Sequence, residues 1–91
     1  MGNQAIANPE EIERFAKELR QFTQQLKESA GRINGGLSRL GETWHDQEHE
    51  KFAAEFEKTL REINRFLNSS EQHIPFLERK ARALRDYLNL R

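Results

Sequence analysis

The sequence predicts an all-α protein, an antiparallel hairpin of two long helices, and three observations carry that expectation. Apolar residues recur at alternating spacings of three and four, the mark of a helical seam. The chain has no Val, and so few β-branched residues argue against strands. A turn-forming stretch at about residues 43–46 divides the periodic sequence into a first helix at about 9–42 and a second at about 47–89.

The first helix has a marked start. Asn8 can cap it, Pro9 suits the first helical position, and Glu11 is placed to complete a capping box. Apolar residues then fall at Ile12, Phe15, Leu19, Phe22 and Leu26, and again at Ile33, Leu37, Leu40 and Trp44. Gly31 and the Asn34-Gly35-Gly36 run interrupt the propensity, since each Gly costs a helix about 1 kcal/mol relative to Ala. The apolar spacing nevertheless runs straight through them, from Leu26 over Ala30 to Ile33 and Leu37, so one continuous helix is expected.

The turn ends at Asp46, a good N-cap, with Glu48 and Glu50 near the positive end of the second helix. That helix carries its seam on His49, Phe52, Phe56, Thr59, Ile63, Leu67, Ser70, Ile74, Leu77, Ala81, Leu84 and Leu88. Pro75 removes a backbone hydrogen bond to the carbonyl of Glu71. A kink or short break at residues 68–75 is therefore expected, with Ser69 as a new cap and the seam phase kept across it.

The chain of 91 residues makes one domain with little room for a self-contained core. Fifteen basic and fifteen acidic residues cancel, and no basic stripe speaks for nucleic acid. Acid-first pairs four apart, such as Glu10 and Arg14, Glu13 and Lys17, or Glu78 and Arg82, suit solvated helix faces. With no Cys there is no disulfide or thiolate metal site. No apolar run reaches the length of a membrane span, so no stable membrane insertion is expected. Met1 to Ile6 lacks the basic region and apolar core of a cleaved leader. The expected location is the cytoplasm, or the outside by a route that cleaves no signal.

Two helices in a hairpin cover one face of each. Phe15, Phe22, Phe52, Phe56 and Phe66 make an apolar surface wider than that. A second hairpin completing a four-helix bundle is the expected solution, with Phe15, Leu19, Phe22, Phe52, Phe56, Ile63 and Leu67 in the dimer interface.

His45-Asp46-Gln47-Glu48-His49 matches the H-x-x-E-H zinc-hydrolase pattern. That chemistry needs both His on one helix face and a third ligand in a deep cleft. Here the pattern starts in a turn and no second domain can form the cleft, so neither a metal site nor an enzyme is expected. No other residue set points to a cofactor. Asp46 and Glu48 are accounted for as capping and dipole residues, and His73 as a surface residue beside Pro75. Trp44, the single Trp, is expected to pack across the turn and plug the hairpin end.

The stretch from Leu37 to Asp46, followed by Phe52 and Phe56, resembles the WXG family of small proteins associated with type VII secretion. The resemblance implies a helical hairpin with Trp-x-Gly at its turn, dimerising antiparallel into a four-helix bundle without a cleaved signal. Here the motif reads Trp44-His45-Asp46, so Asp46 stands where the family has Gly. The family's C-terminal signal is a Tyr followed four residues on by an acidic residue; Tyr87 is present, but the fourth residue after it is Arg91. The resemblance implies a homodimer, or a pair with a related hairpin, that is secreted or accompanies a secreted protein and contacts a secretion-system component. A cytoplasmic dimeric adaptor of the same fold is the alternative that Arg91 favours.

Overall fold

The computed structural model describes residues 7–89, so the N-terminal Met1 to Ile6 and the C-terminal Leu90 and Arg91 lie outside the described residues. The described residues form two helices: α1, Pro9–Leu40, and α2, Gln47–Asn89. They pack lengthwise into a rod of 68 × 21 × 17 Å.

Asn8 caps α1 from an extended backbone, its side-chain oxygen accepting from the amides of Glu10 at 2.8 Å and Glu11 at 3.4 Å. The reciprocal half of the capping box does not form. The Glu11 carboxylate instead accepts from Arg14 at 2.9 Å, one turn further on. The helix passes through Gly31, Gly35 and Gly36 without interruption, and none of the described glycines adopts a positive φ.

α1 stops at Leu40, two residues short of the expected 42. The amide of Gly41 still bonds four back, to Leu37 at 3.2 Å. The amides of Glu42 and Thr43 reach only three back, to Arg39 and Leu40, so the last turn tightens and leaves the helical path. The amide of Trp44 then returns to the carbonyl of Leu40 at 3.0 Å. Asp46 opens α2, its carboxylate accepting from the amide of His49 at 3.0 Å.

α2 runs through Asn68 to Pro75 as one helix. The short break expected there is absent, and Ser69 is an interior helical residue rather than a cap. Pro75 still has no amide hydrogen, so the carbonyl of Glu71 lacks its helical donor.

The seam between the helices is built from small residues. Ala16, Ser70 and Ala81 are fully buried and Ile74 nearly so. Leu19, Thr23, Leu26, Ile63, Leu67, Leu77 and Leu84 flank them, half-buried. Two ion pairs cross the seam and fix its register. Arg20 Nη2 donates to Glu78 Oε2 at 2.6 Å. Arg85 grips Glu13 with both guanidinium nitrogens, Nη2 to Oε1 at 3.0 Å. These contacts divert Glu13 and Glu78 from the intrahelical partners four residues on, Lys17 and Arg82, that their spacing suggested. The Arg85 hydrogen bond is also what chiefly holds the Glu13 carboxyl below the usual carboxylate range.

The hairpin has little interior of its own. Its radius of gyration is 20.4 Å, where a compact chain of this length would have about 12 Å. It exposes 7535 Å², where a compact folded chain of its mass would expose about 5,500 Å².

Candidate functional site: the aromatic face and the hairpin tip

The helical repeat decides which side chains meet. Phe15 and Phe22 are seven residues apart and lie one step around α1 from the buried line of Ala16 and Thr23. That step rolls both rings off the seam onto one broad side of the rod. Phe66 of α2 lies on the same side, its ring edge-on to Phe22 with centroids 6.0 Å apart. Phe22, Leu26, Thr59, Glu62, Ile63 and Phe66 line a shallow depression of about 330 Å³.

These rings are largely in solvent. Phe15 is 54%, Phe22 52%, Phe52 44% and Phe66 43% exposed, and Ile33, Leu40 and Leu88 are also open. The residues expected at an interface therefore occupy two layers. Leu19, Phe56, Ile63 and Leu67 sit half-buried between α1 and α2, while Phe15, Phe22 and Phe52 stand outside.

At the tip, Trp44 is half-buried against α2. Its ring centroid is 5.0 Å from that of His49, tilted by 64°, and 6.2 Å from that of Phe52. Phe52 in turn stacks on Phe56 at 5.5 Å. The aromatic run thus continues from the turn onto the open face. His49 fills the space beside Gly41, where an added Cβ would stand 3.4 Å from the imidazole. Its Nε2 is buried with no hydrogen-bond partner among the described residues. The Asp46 carboxylate is occupied with the His49 amide.

The H-x-x-E-H pattern is pulled apart by this geometry. Nε2 of His45 is 2.9 Å from the carbonyl of Glu42, inside the turn, while the His49 ring lies against Trp44. Among the described residues no group of three or more His, Asp or Glu is placed to hold a metal ion. No described helix is long and apolar enough to cross a membrane.

The other broad side of the rod is a charged groove of about 570 Å³, lined by Glu10, Glu13, Arg14, Lys17, Arg20, Glu78 and Arg82. Its cross-helix ion pairs left no signal in the sequence, because their partners are 58 and 72 residues apart. A third surface was equally illegible. Phe76 and Tyr87 of α2 are 57% and 66% exposed. Tyr87, expected as part of a C-terminal signal, is open to solvent.

A family model described as WXG100, proteins of 100 residues with WXG, matches residues 4–87. No curated protein and no solved structure shows significant similarity to the chain.

Proposed function

The chain belongs to the WXG100 family, and from the aromatic face its hairpin leaves open we propose that it works by packing that face against a second helical hairpin. The family associates it with type VII secretion as a small helical protein. In this reading the closed four-helix bundle is a secretion substrate, or a partner that accompanies one, and has no catalytic role.

The observation that carries the reading is an inversion of burial. The fully buried side chains are Ala16, Ser70 and Ala81, while Phe15, Phe22, Phe52 and Phe66 are about half in solvent. Large exposed apolar patches on a folded chain mark contact surfaces. The area exposed beyond that of a compact chain is roughly 2,000 Å², ample for one side of a stable interface, which needs about 800 Å². Phe15, Phe22 and Phe52 are assigned to first contact. Leu19, Phe56, Ile63 and Leu67 lie beneath them and become fully covered when the second hairpin, a copy of the same chain or a related one, docks. Trp44 and Asp46 hold the tip in shape. A bend at Pro75, which has no amide hydrogen to give the carbonyl of Glu71, would let α2 follow its neighbour.

Tyr87 is assigned to contact with a secretion component, since it is the most exposed of the large apolar side chains described. The competing reading, an adaptor retained in the cytoplasm, is favoured by Arg91 in the position where the family carries an acid. Sedimentation equilibrium over a range of concentrations, together with fractionation of cultures into cells and medium, tests both. Association and accumulation in the medium, without removal of an N-terminal segment, are expected. Association with retention in the cells selects the adaptor. A chain that stays single in the presence of every related hairpin refutes the shared core of the two readings.

A further inference from the structure

The groove on the charged side of the rod runs well past its deepest stretch, which spans Glu10 to Arg20 of α1. A second depression of about 220 Å³ shares Arg20 with that stretch and reaches Lys27. A third, of about 230 Å³, shares Lys27 with the second and reaches Asn34 and Asn64. Together they form one channel between α1 and α2, about 36 Å long from Glu10 to Asn34 at 1.5 Å per residue. No Phe lines any part of it. A hairpin that covers the aromatic face on the other side therefore leaves this channel open.

The channel changes character along its length. Toward Asn34 it is apolar at its base, with Leu60, Leu67, Ile74 and Ala30 in its lining. Its wall is low there, since a Cβ on Gly31 would meet nothing within 4 Å. Toward Glu10 the walls are charged. Lys17 lies between Glu13 and Arg20 on α1, and Arg82 between Glu78 and Arg85 on α2. The two cross-helix ion pairs therefore set Lys17 and Arg82 on opposite walls at the same level. After the Arg85 hydrogen bond, both are among the charges that lower the Glu13 carboxyl. That carboxylate already has both oxygens engaged by Arg85. Lys17 and Arg82 are exposed and form no ion pair among the described residues. The other carboxylates without an ion pair in the lining stand elsewhere: Glu71 is across from Lys27 in this register, and Glu10 is two turns from Lys17.

Two unanswered cations facing each other across a groove fit an anionic group from outside. Glu10 and Glu71 on the same walls repel a continuous phosphate backbone, and the apolar base calls for an apolar counterpart. The trough between two packed helices is also where the ridge of a third helix can seat. We propose that this channel binds an amphipathic helix of a partner protein, with a carboxylate near one end of that helix held between Lys17 and Arg82. Its apolar stripe lies on Leu60, Leu67 and Ala30. The charged contact sets which way the helix lies and which helices are accepted, while the apolar stripe adds affinity. Because the channel and the aromatic face are on opposite sides, one molecule holds both occupants at once.

The test is fluorescence anisotropy of a labelled helical peptide of about 24 residues, the length of the channel, added to the full chain. The peptide carries Leu and Ala on one face and glutamates confined to one end; a second peptide has lysines in place of the glutamates. The double variant Lys17→Glu, Arg82→Glu is compared with the parent, and circular dichroism follows helicity. The variant is expected to bind the acidic peptide at least roughly tenfold more weakly than the parent at low salt, and to bind the lysine peptide instead. Its own association, by sedimentation equilibrium, should match the parent's. Replacing Phe22 and Phe66 by Ala should leave binding of the acidic peptide unchanged. A parent that does not bind the acidic peptide overturns the proposal, as does a charge-reversed variant that binds it equally well. Loss of binding in the Phe22 and Phe66 variant would place the peptide on the aromatic face and also overturn it. So would a single-stranded DNA oligonucleotide that binds the parent as tightly as the peptide does.

Discussion

Replacing Phe22 and Phe66 together by Ala perturbs the aromatic face where α1 and α2 both contribute to it. In the isolated hairpin the two rings touch edge to edge at 6.0 Å and are 52% and 43% exposed. A Phe side chain presents about 200 Å² in all, so each ring keeps roughly 100 Å² to bury. At about 25 cal/mol per Å² that is about 2.5 kcal/mol per ring. A pair of hairpins contributes four such rings, and full coverage would be worth up to about 10 kcal/mol, an upper bound that ignores the cost of association. The double variant should therefore lose self-association at micromolar concentrations. The fold of the hairpin should change far less, because the seam of Ala16, Ser70, Ile74 and Ala81 is untouched. The assay is sedimentation equilibrium, paired with thermal melts over a hundredfold range of concentration. The parent's melting temperature should rise with concentration and the variant's should not. A variant with the parent's mass and the parent's concentration dependence would show that another surface joins the chains.

Asp46→Ala should cost about 1 kcal/mol by removing the α2 cap, whereas Asp46→Gly, which restores the family's Trp-x-Gly, should cost only a few tenths, as read by chemical denaturation. Trp44→Ala should destabilise the tip by about 1–3 kcal/mol and weaken association, since its ring supports His49 and Phe52; unchanged melts would remove its assigned role. Gly31→Ala should raise stability by up to about 1 kcal/mol, because a Cβ there meets nothing within 4 Å in the hairpin; a loss of association instead would mean that a neighbour approaches that side closely. Glu13 has its carboxyl pKa lowered in the folded state, chiefly by the Arg85 hydrogen bond. Its contribution is therefore present above the ordinary carboxylate range and lost as pH falls through the lowered folded value. Stability should decline on acidification from about pH 5, and Glu13→Gln should flatten that decline.

Much of the fold was written locally. Asn8-Pro9 fixes the start of α1, Asp46 the start of α2, and the alternation of three and four fixes which residues can share a side, because each depends only on neighbours within a turn or two. The same local reasoning marked Trp44, Asp46 and the Phe residues as the interesting ones. It could not divide them into layers. Whether Phe15 or Ala16 meets α2 is decided by a rotation of about 100° per residue, and the close approach of α2 at Ala16, Ser70 and Ala81 is what chose the small residues for the seam. It also could not foresee that Glu13 and Glu78 would leave their own helix for Arg85 and Arg20, since such pairs exist only once the register of the two helices is set. Pro75 shows the same limit from the other side. Its local cost predicted a break, but α2 stays helical through Ser70, Ile74 and Ala81, where burial along α1 outweighs one missing hydrogen bond. Sequence determined two helices, their caps and their apolar stripes, because those are short-range properties of the chain. Only the tertiary packing decided which stripe is spent inside the hairpin and which is left as a face, because that follows from how closely two particular backbones can approach.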